Sequence, residues 1–421
     1  MTDLLVLAGL VLGYGLISGR AQGTSLTPQM VFVAAGVVLG SGGLRVLSGT
    51  PTEEAVRILA EATLVLALFT DAARIELPLL RREFRLPLRL LGIGMPVGLM
   101  IGAGVAYGLF PAFGLWEAAL LAAVLLPTDA ALGAAVVGDR RLPVRIRQSI
   151  NVESGLNDGI ALPIVLVMVT LAATAQGDMG APAAWAGFAA RQVGFGLLVG
   201  VLVGGLGGWA LTRADAAGWV SSTYRRTFVL ALGASGYVGA EMATGNGFIA
   251  AFVAGLAFGT VARDQCPQVQ AFAEREGELL GMVTFTLFGA VIVGPRLAEV
   301  DWRVVVYAVL SLAVVRVLAV AVATLGAKLR WETVLFLGWF GPRGLASIIF
   351  ALLVVEEAGI AVADDIMVVT GVTVMLSVFA HGASAAPLAR VFARRAEAFE
   401  PVAPERLAVP EHHVRHYTPR R

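Results

Sequence analysis

The run at 151–159, NVESGLNDG, concentrates carboxyl, hydroxyl and amide side chains within an otherwise apolar stretch. At 100° per residue, Ser154 and Asp158 share one helix face, and Glu153 and Asn157 share the adjacent face. Hard cations prefer oxygen ligands of this kind. Removing a carboxylate from bulk water also favours its protonated form. We therefore expect Asp158 to hold either a proton or a small cation, with Ser154 as a second ligand.

The chain around this run is too apolar for a soluble domain. Hydrophobic residues make up 57% of its 421 residues and charged residues 14%, against about 25% charged residues in soluble domains. Apolar stretches recur from Leu4 to Leu388, so the bilayer is the expected solvent. A net charge of +1 suggests no nucleic-acid partner, and one cysteine excludes an internal disulfide. Asp3 precedes the first apolar run without any Lys or Arg, which predicts a retained first helix rather than a signal peptide.

Thirteen apolar windows are long enough to predict membrane-spanning helices. They lie near 3–19, 28–48, 54–72, 87–110, 115–138, 146–174, 185–211, 226–243, 246–262, 279–297, 303–326, 332–355 and 366–389. The second and ninth windows are short and rich in glycine.

Arginine is concentrated in the loops that follow the odd-numbered spans, including Arg81-Arg82 and Arg140-Arg141. Positive loops face the cytoplasm, so we expect the N-terminus outside and the C-terminus inside. Residues 390–421 are predicted to form a short, flexible cytoplasmic tail. The tail histidines at 412, 413 and 416 are most simply a solvated cluster, with a metal site or pH sensor as the alternative.

The fifth and twelfth spans are interrupted at Pro127-Thr128-Asp129 and at Gly341-Pro342-Arg343-Gly344. If the seventh helix is a connector, these breaks occupy corresponding places in two halves. Paired broken helices in inverted halves indicate a transport site at the membrane midplane; a proline kink in a packed helix is the alternative for either break. The predicted fold is therefore an all-α polytopic membrane protein with about 13 transmembrane helices. It comprises two inverted six-helix repeats whose broken helices cross.

Ionisable residues within the predicted spans indicate functional or structural roles, because placing each one in the membrane costs about 2.5–3.5 kcal/mol on insertion scales. The candidates are Asp71, Asp129, Glu153, Asp158, Arg316 and Arg343.

Several ordered motifs resemble those of the NhaP/NHE-type cation/proton antiporters, the first cation:proton antiporter family. The run Glu153–Asp158 is similar to the family's E-S-x-L-N-D motif. The break at 127–129 matches its broken fifth helix, and 341–344 resembles its G-x-R-G segment. His381-Gly382 and Pro387-Leu388 also fit its last helix, so the resemblance covers nearly the whole membrane region.

The resemblance implies that Asp158 is the essential ion and proton carrier and the transient site of Na⁺. Ser154 and the main chain of Thr128 would be further ion ligands. Relatives often carry an acid after a Leu-Phe pair in the third helix, where this chain has Thr70. Asp71 either substitutes from the next position or is an end residue beside Arg74.

Supporting roles follow from the same resemblance. Asn157 would stabilise the neighbouring broken helix, at a position where electrogenic relatives carry a second aspartate. Asp129 would face the partial charges of the helix ends. Glu153 would form a structural ion pair with Arg343. Arg316 resembles the arginine of the eleventh span and is expected to form a structural pair with a partner that the sequence does not identify.

The expected organisation is a transmembrane antiporter domain at 1–389. Its core bundle covers about 87–174 and 303–389, and its dimer or scaffold helices cover about 3–72 and 185–297. The expected function is electroneutral Na⁺ or Li⁺ exchange for one proton, by a homodimer in a bacterial inner membrane. The protein would be a secondary transporter, not an enzyme, and would need no cofactor. Alternatives are a K⁺/H⁺ antiporter, a Na⁺-coupled organic anion transporter that uses Arg343, or an ion channel.

Overall fold

A computed structural model describes residues 2–21, 24–47, 53–75, 85–129, 132–175, 182–356, 360–400 and 403–407. Within these ranges the regular structure is entirely helical, which confirms the predicted all-α class.

The first part of the chain forms α1 (Thr2–Ala21), α2 (Pro28–Leu39), α3 (Glu53–Ala73), α4 (Arg85–Leu109), α5 (Leu115–Val124), α6 (Ala134–Val137) and α7 (Val144–Ala175). The second part forms α8 (Pro182–Ala216), α9 (Ser222–Met242), α10 (Gly247–Val261), α11 (Cys266–Leu287), α12 (Trp302–Ala323), α13 (Trp331–Trp339), α14 (Leu345–Glu356) and α15 (Ala363–Glu397). Helix α11 continues through a π-helical turn at Phe288–Val293, and π-helical turns also lie within α4 at Leu90–Gly94 and within α12 at Leu310–Val315.

The helices follow the predicted spans closely. In the described residues, seven helices are long and apolar enough to cross a membrane. The other predicted spans correspond to α2, α3, α9, α10 and the two broken spans. Helix α11 begins at Cys266 instead of near residue 279, so the tenth span starts early. The second span differs at its end, since α2 ends at Leu39 instead of reaching residue 48. The chain turns there, and Arg45 adopts a left-handed backbone with φ of 53°.

Local side chains explain where several helices begin. Thr27 accepts the N–H of Met30 before Pro28 opens α2, and Ser221 accepts the N–H of Tyr224 at α9. Asn246 accepts two N–H groups at the start of α10. Such caps satisfy first-turn donors that have no partner inside the helix.

Both predicted breaks are present. Helix α5 stops at Val124, and the next helix in the described residues begins at Ala134. Helix α13 stops at Trp339, and α14 begins at Leu345. Pro127 and Pro342 have no N–H to donate and disfavour helical backbone at the residue before them, which accounts for both interruptions.

Helix α10 packs closely on α3 because two glycines of α10 face the main chain of α3. A side-chain carbon at Gly255 would overlap the carbonyl oxygen of Phe69, and one at Gly259 would overlap the carbonyl oxygen of Ala73. Small residues allow backbones to approach in lipid, where van der Waals packing drives helix association. The separation of α3 and α10 therefore depends on these two positions.

We expect Gly255→Ala to destabilise the protein by about 1–3 kcal/mol, the usual cost of overpacking, because the obstructing atoms belong to backbone. Thermal unfolding in detergent measures the effect. Gly205→Ala in α8 is the matched control, since an added carbon there meets no atom within 4 Å among the described residues. Equal stability of the two variants would contradict the close-packing explanation.

The described part of the predicted flexible tail at 390–421 is helical or packed against the bundle. Helix α15 continues to Glu397, and the described residues 403–407 pack back onto the helices. Phe399 is buried against Phe392, and Glu405 is fully buried. The Phe399 ring and the hydrogen-bonded Glu405 carboxylate hold this segment against the helices. Its polar composition alone had suggested a solvated tail. The tail histidines at 412, 413 and 416 lie outside the described residues.

Candidate functional site

The two breaks meet directly. The backbone N–H of Asp129 donates to the carbonyl oxygen of Pro342 at 2.7 Å. The Asp129 carboxylate lies at the start of α14, where Oδ2 accepts the N–H of Leu345 at 3.4 Å. A negative group is favourable at a helix N-terminus. Gly344 is required at this crossing, because a side-chain carbon there would overlap the Asp129 carboxylate.

Arg343 closes the other side of the crossing. Its Nη1 donates to the carbonyl oxygens of Leu126 and Pro127, at 2.6 and 3.1 Å. These carbonyls follow the end of α5 and have no intrahelical partner, and a cation is favourable at that end of a helix. The backbone N–H of Arg343 donates to Ser377 Oγ at 2.7 Å. One buried side chain therefore joins the first break to the second.

The site helix α7 contacts the first break through two hydroxyls and an amide. Ser154 Oγ lies 3.0 Å from Thr128 Oγ1, and Asn157 Nδ2 donates to the same Thr128 oxygen at 2.5 Å. All three residues are buried. Through the Thr128 side chain, Asn157 thus bonds the broken helix that it was expected to stabilise.

Asp158 lies one helical turn after Ser154. Since residues four apart share a helix face, the contact of Ser154 with Thr128 directs this face towards the first break. Asp158 is partly buried. The α7 face that contacts the break therefore carries a carboxylate and a serine hydroxyl, which are oxygen donors of the kind that hard cations prefer.

Asp71 lies beside the same stretch of α7. A side-chain carbon built on Gly155 would be 3.8 Å from the Asp71 Cβ, and Asp71 also pairs with Arg74 at 3.8 Å. Asp71 is therefore next to the site helix and is also paired with Arg74. The Thr70 hydroxyl instead donates to the carbonyl of Leu66 within α3.

The predicted ion pair between Glu153 and Arg343 is wrong. Glu153 Oε1 lies 2.6 Å from Arg316 Nη1, and the two side chains are 2% and 7% exposed. Arg343 is occupied by the carbonyls of the first break instead. The pair joins α7 to α12, and Arg316 follows the π-helical turn at Leu310–Val315 directly. The arginine whose partner the sequence did not identify is therefore the true partner of Glu153.

Sequence reasoning also missed the role of His381 at the second break. Its Nε2 lies 2.8 Å from the carbonyl oxygen of Trp339, and its Nδ1 lies 3.0 Å from Ser377 Oγ. Nδ1 also lies 3.0 Å from the Ser377 carbonyl oxygen. A carbonyl oxygen can only accept, so a hydrogen on Nε2 would donate to Trp339. His381 thereby satisfies the last residue of α13. His381 belongs to the His381-Gly382 pair that resembles the last helix of the family, which marked the residue but not its contact with Trp339, about 40 residues earlier in the chain.

Comparison with known proteins gives a consistent family. The family model "Sodium/hydrogen exchanger, transmembrane" matches residues 5–391. A Na(+)/H(+) antiporter from Schizosaccharomyces pombe is 29% identical over 311 residues, which cover 69% of this chain and 65% of that protein. A K(+)/H(+) antiporter NhaP2 from Shewanella oneidensis is 23% identical over 381 residues, which cover 89% of this chain and 64% of that protein. The chain thus spans less than two thirds of the length of these relatives.

The fold also matches a solved structure. The sodium proton antiporter MjNhaP1 from Methanocaldococcus jannaschii superposes with a TM-score of 0.76 at 19% sequence identity. The match covers 93% of this chain and 97% of that protein. The shared architecture is therefore that of the whole described helical bundle.

Proposed function

This chain belongs to the sodium/hydrogen exchanger family, and from that premise we propose that it exchanges a monovalent cation for a proton across a membrane. The observation that carries the proposal is the crossing of the two broken helices beside the oxygen-rich face of α7. Thr128 of the first break contacts Ser154 and Asn157, and Asp158 follows within one turn.

Asp158 is the exchange site in this proposal. Its carboxylate binds either a proton or a cation, and occupation by one excludes the other, which couples their movements. Ser154 Oγ and the Thr128 main chain supply further oxygen ligands, with Asp71 beside them. The site is exposed to each side in turn when the core bundle, about 87–174 and 303–389, moves against the scaffold helices. Such a transporter moves ions without chemical conversion of a substrate.

The transported cation is Na⁺ or Li⁺ in this proposal, with K⁺ as the second candidate because the Shewanella oneidensis match is a K(+)/H(+) antiporter. The exchange is electroneutral. Asn157 is neutral and donates a hydrogen bond to Thr128. In this proposal Asp158 is therefore the single carboxylate of α7 that binds the transported ion, and one bound cation replaces one bound proton.

The chain is an integral multi-pass membrane protein. We propose that it lies in a bacterial inner membrane as a homodimer. Its arginine-rich loops would be cytoplasmic, with the N-terminus outside and the C-terminus inside. Much of α1 is exposed, including Leu12 and Leu16, which is consistent with a lipid-facing or dimer-facing helix.

Exchange in proteoliposomes tests the proposal. Addition of Na⁺, Li⁺ or K⁺ should dissipate a preset pH gradient without any organic substrate, and a clamped membrane potential should leave the rate unchanged. Protein-free liposomes are the control. Dissipation that requires an organic anion would support the coupled anion transporter, and flux that follows voltage alone would support a channel.

A further inference from the structure

Glu405, far from the ion site, is buried at the start of α13. Its Oε1 accepts the backbone N–H of Arg330 at 2.8 Å and the hydroxyl of Thr333 at 3.1 Å. Both Glu405 and Thr333 are 0% exposed. A carboxylate is removed from solvent only where hydrogen bonds compensate it, so these two bonds define a built contact.

The contact serves a helix that has no cap of its own. Helix α13 begins at Trp331, and its N-cap residue Arg330 makes no side-chain capping bond. First-turn N–H groups have no intrahelical acceptor, and a negative charge is favourable there. Glu405 supplies an acceptor for the N-cap N–H of Arg330 from a segment about 75 residues further along the chain. Its carboxylate adds to that of Glu332 in the first turn of α13 itself.

The capping segment, residues 403–407, is itself held by other helices. Arg145, in the first turn of α7, donates to the carbonyl of Pro404 at 2.5 Å. Arg406 Nη2 donates at 2.8 Å to the carbonyls of Ala396 and Glu397 at the end of α15. The capping segment therefore ties the start of α13 to the site helix and to the last helix.

The opposite end of α13 is the second break. Helix α13 is nine residues long, and its last residue, Trp339, directly precedes this break. The break includes Gly341, where a side-chain carbon would be 2.5 Å from Arg316 Nε, and Arg343, which bonds the first break. The crossing leaves little space for the half-helix to shift.

We propose that Glu405 is a positioning residue of the transport cycle: by capping α13 it fixes the half-helix whose far end forms the second break. This inference rests on the proposed function, because one of its two tests measures cation/proton exchange. The other test, protection of the α13 amides from hydrogen exchange, does not depend on transport.

The test compares full-length variants. Glu405→Ala removes the acceptor, Glu405→Gln keeps an acceptor oxygen, and Thr333→Val removes one donor while retaining shape. Glu400→Ala is the matched control, because Glu400 is an exposed acid in the same part of the chain. Each is reconstituted, and the exchange rate is measured per folded protein well below its unfolding temperature, together with hydrogen exchange over 330–345.

Glu405→Ala should increase amide exchange at the start of α13 by roughly five- to thirtyfold, as expected for a lost helix cap. It should also lower the rate of cation/proton exchange several-fold and shift the apparent cation KM, while Glu405→Gln restores most of both. Thr333→Val should change both readouts in the same direction by less, and Glu400→Ala should match the unaltered protein.

Two results would overturn the inference. One is unchanged amide protection over 330–345 in Glu405→Ala. The other is a lower unfolding temperature with unchanged exchange rate and KM per folded protein, which would make Glu405 a purely structural cap. Failure of the proposed function differs from both, because the unaltered protein would then show no cation/proton exchange at all.

Discussion

Asp158→Asn should fold, reach the membrane and lose cation/proton exchange down to the level of protein-free liposomes. Asparagine has nearly the same shape as aspartate but cannot carry a proton or a negative charge at neutral pH. Asp158 is partly buried on the α7 face that contacts the first break. Removing its charge therefore removes the competition between proton and cation while leaving the packing of α7 in place.

The measurement is dissipation of a pH gradient by Na⁺, Li⁺ and K⁺ in proteoliposomes with matched protein content. Asp364→Asn is the control, because Asp364 is an exposed acid at the start of α15 and should retain full exchange. Retained cation-dependent proton flux in Asp158→Asn would refute the assignment of the exchange site.

Arg316→Met should destabilise the protein by about 3–5 kcal/mol, because it leaves the Glu153 carboxylate buried without its partner. The pair is almost completely enclosed, and its closest atoms are 2.6 Å apart. Methionine retains much of the side-chain volume, so the expected loss reflects the uncompensated charge and not a cavity. Thermal unfolding in detergent, compared at equal protein concentration, measures the change.

A double-mutant cycle identifies the partner of Glu153. Glu153→Gln in the Arg316→Met background should recover part of the lost stability, with a coupling energy of about 1–3 kcal/mol. The same cycle with Arg343→Met should give a smaller coupling, since Arg343 donates to the carbonyls of Leu126 and Pro127. Additive effects of Glu153→Gln and Arg316→Met would contradict the ion pair.

The sequence was sufficient to predict the helical class, the spans and the two breaks. Each depends on local properties, namely the length of apolar stretches and the chemistry of proline. The clustering of Ser154, Asn157 and Asp158 also followed from helix periodicity. The contacts of Ser154 and Asn157 with Thr128 join two segments of the chain, and helix periodicity alone does not predict such a meeting.

The choice of partner for Glu153 could not be predicted in the same way. Two buried arginines, at 316 and 343, were available, and sequence spacing does not distinguish them. The distinction depends on carbonyls exposed by the first break, which occupy Arg343 and leave Arg316 for the carboxylate. Glu405 was missed for a related reason, since a polar composition does not reveal a distant helix start that lacks an acceptor.

The main-chain bond between Asp129 and Pro342 has a mechanical consequence. Separating the two breaks would break this hydrogen bond within the membrane-spanning region. Leaving a backbone N–H and a carbonyl there without partners is energetically costly. The two interrupted helices are therefore expected to move as one rigid body that carries the bound ion. A covalent cross-link between the two breaks should be tolerated during turnover, whereas a cross-link between either break and the scaffold helices should stop the cycle.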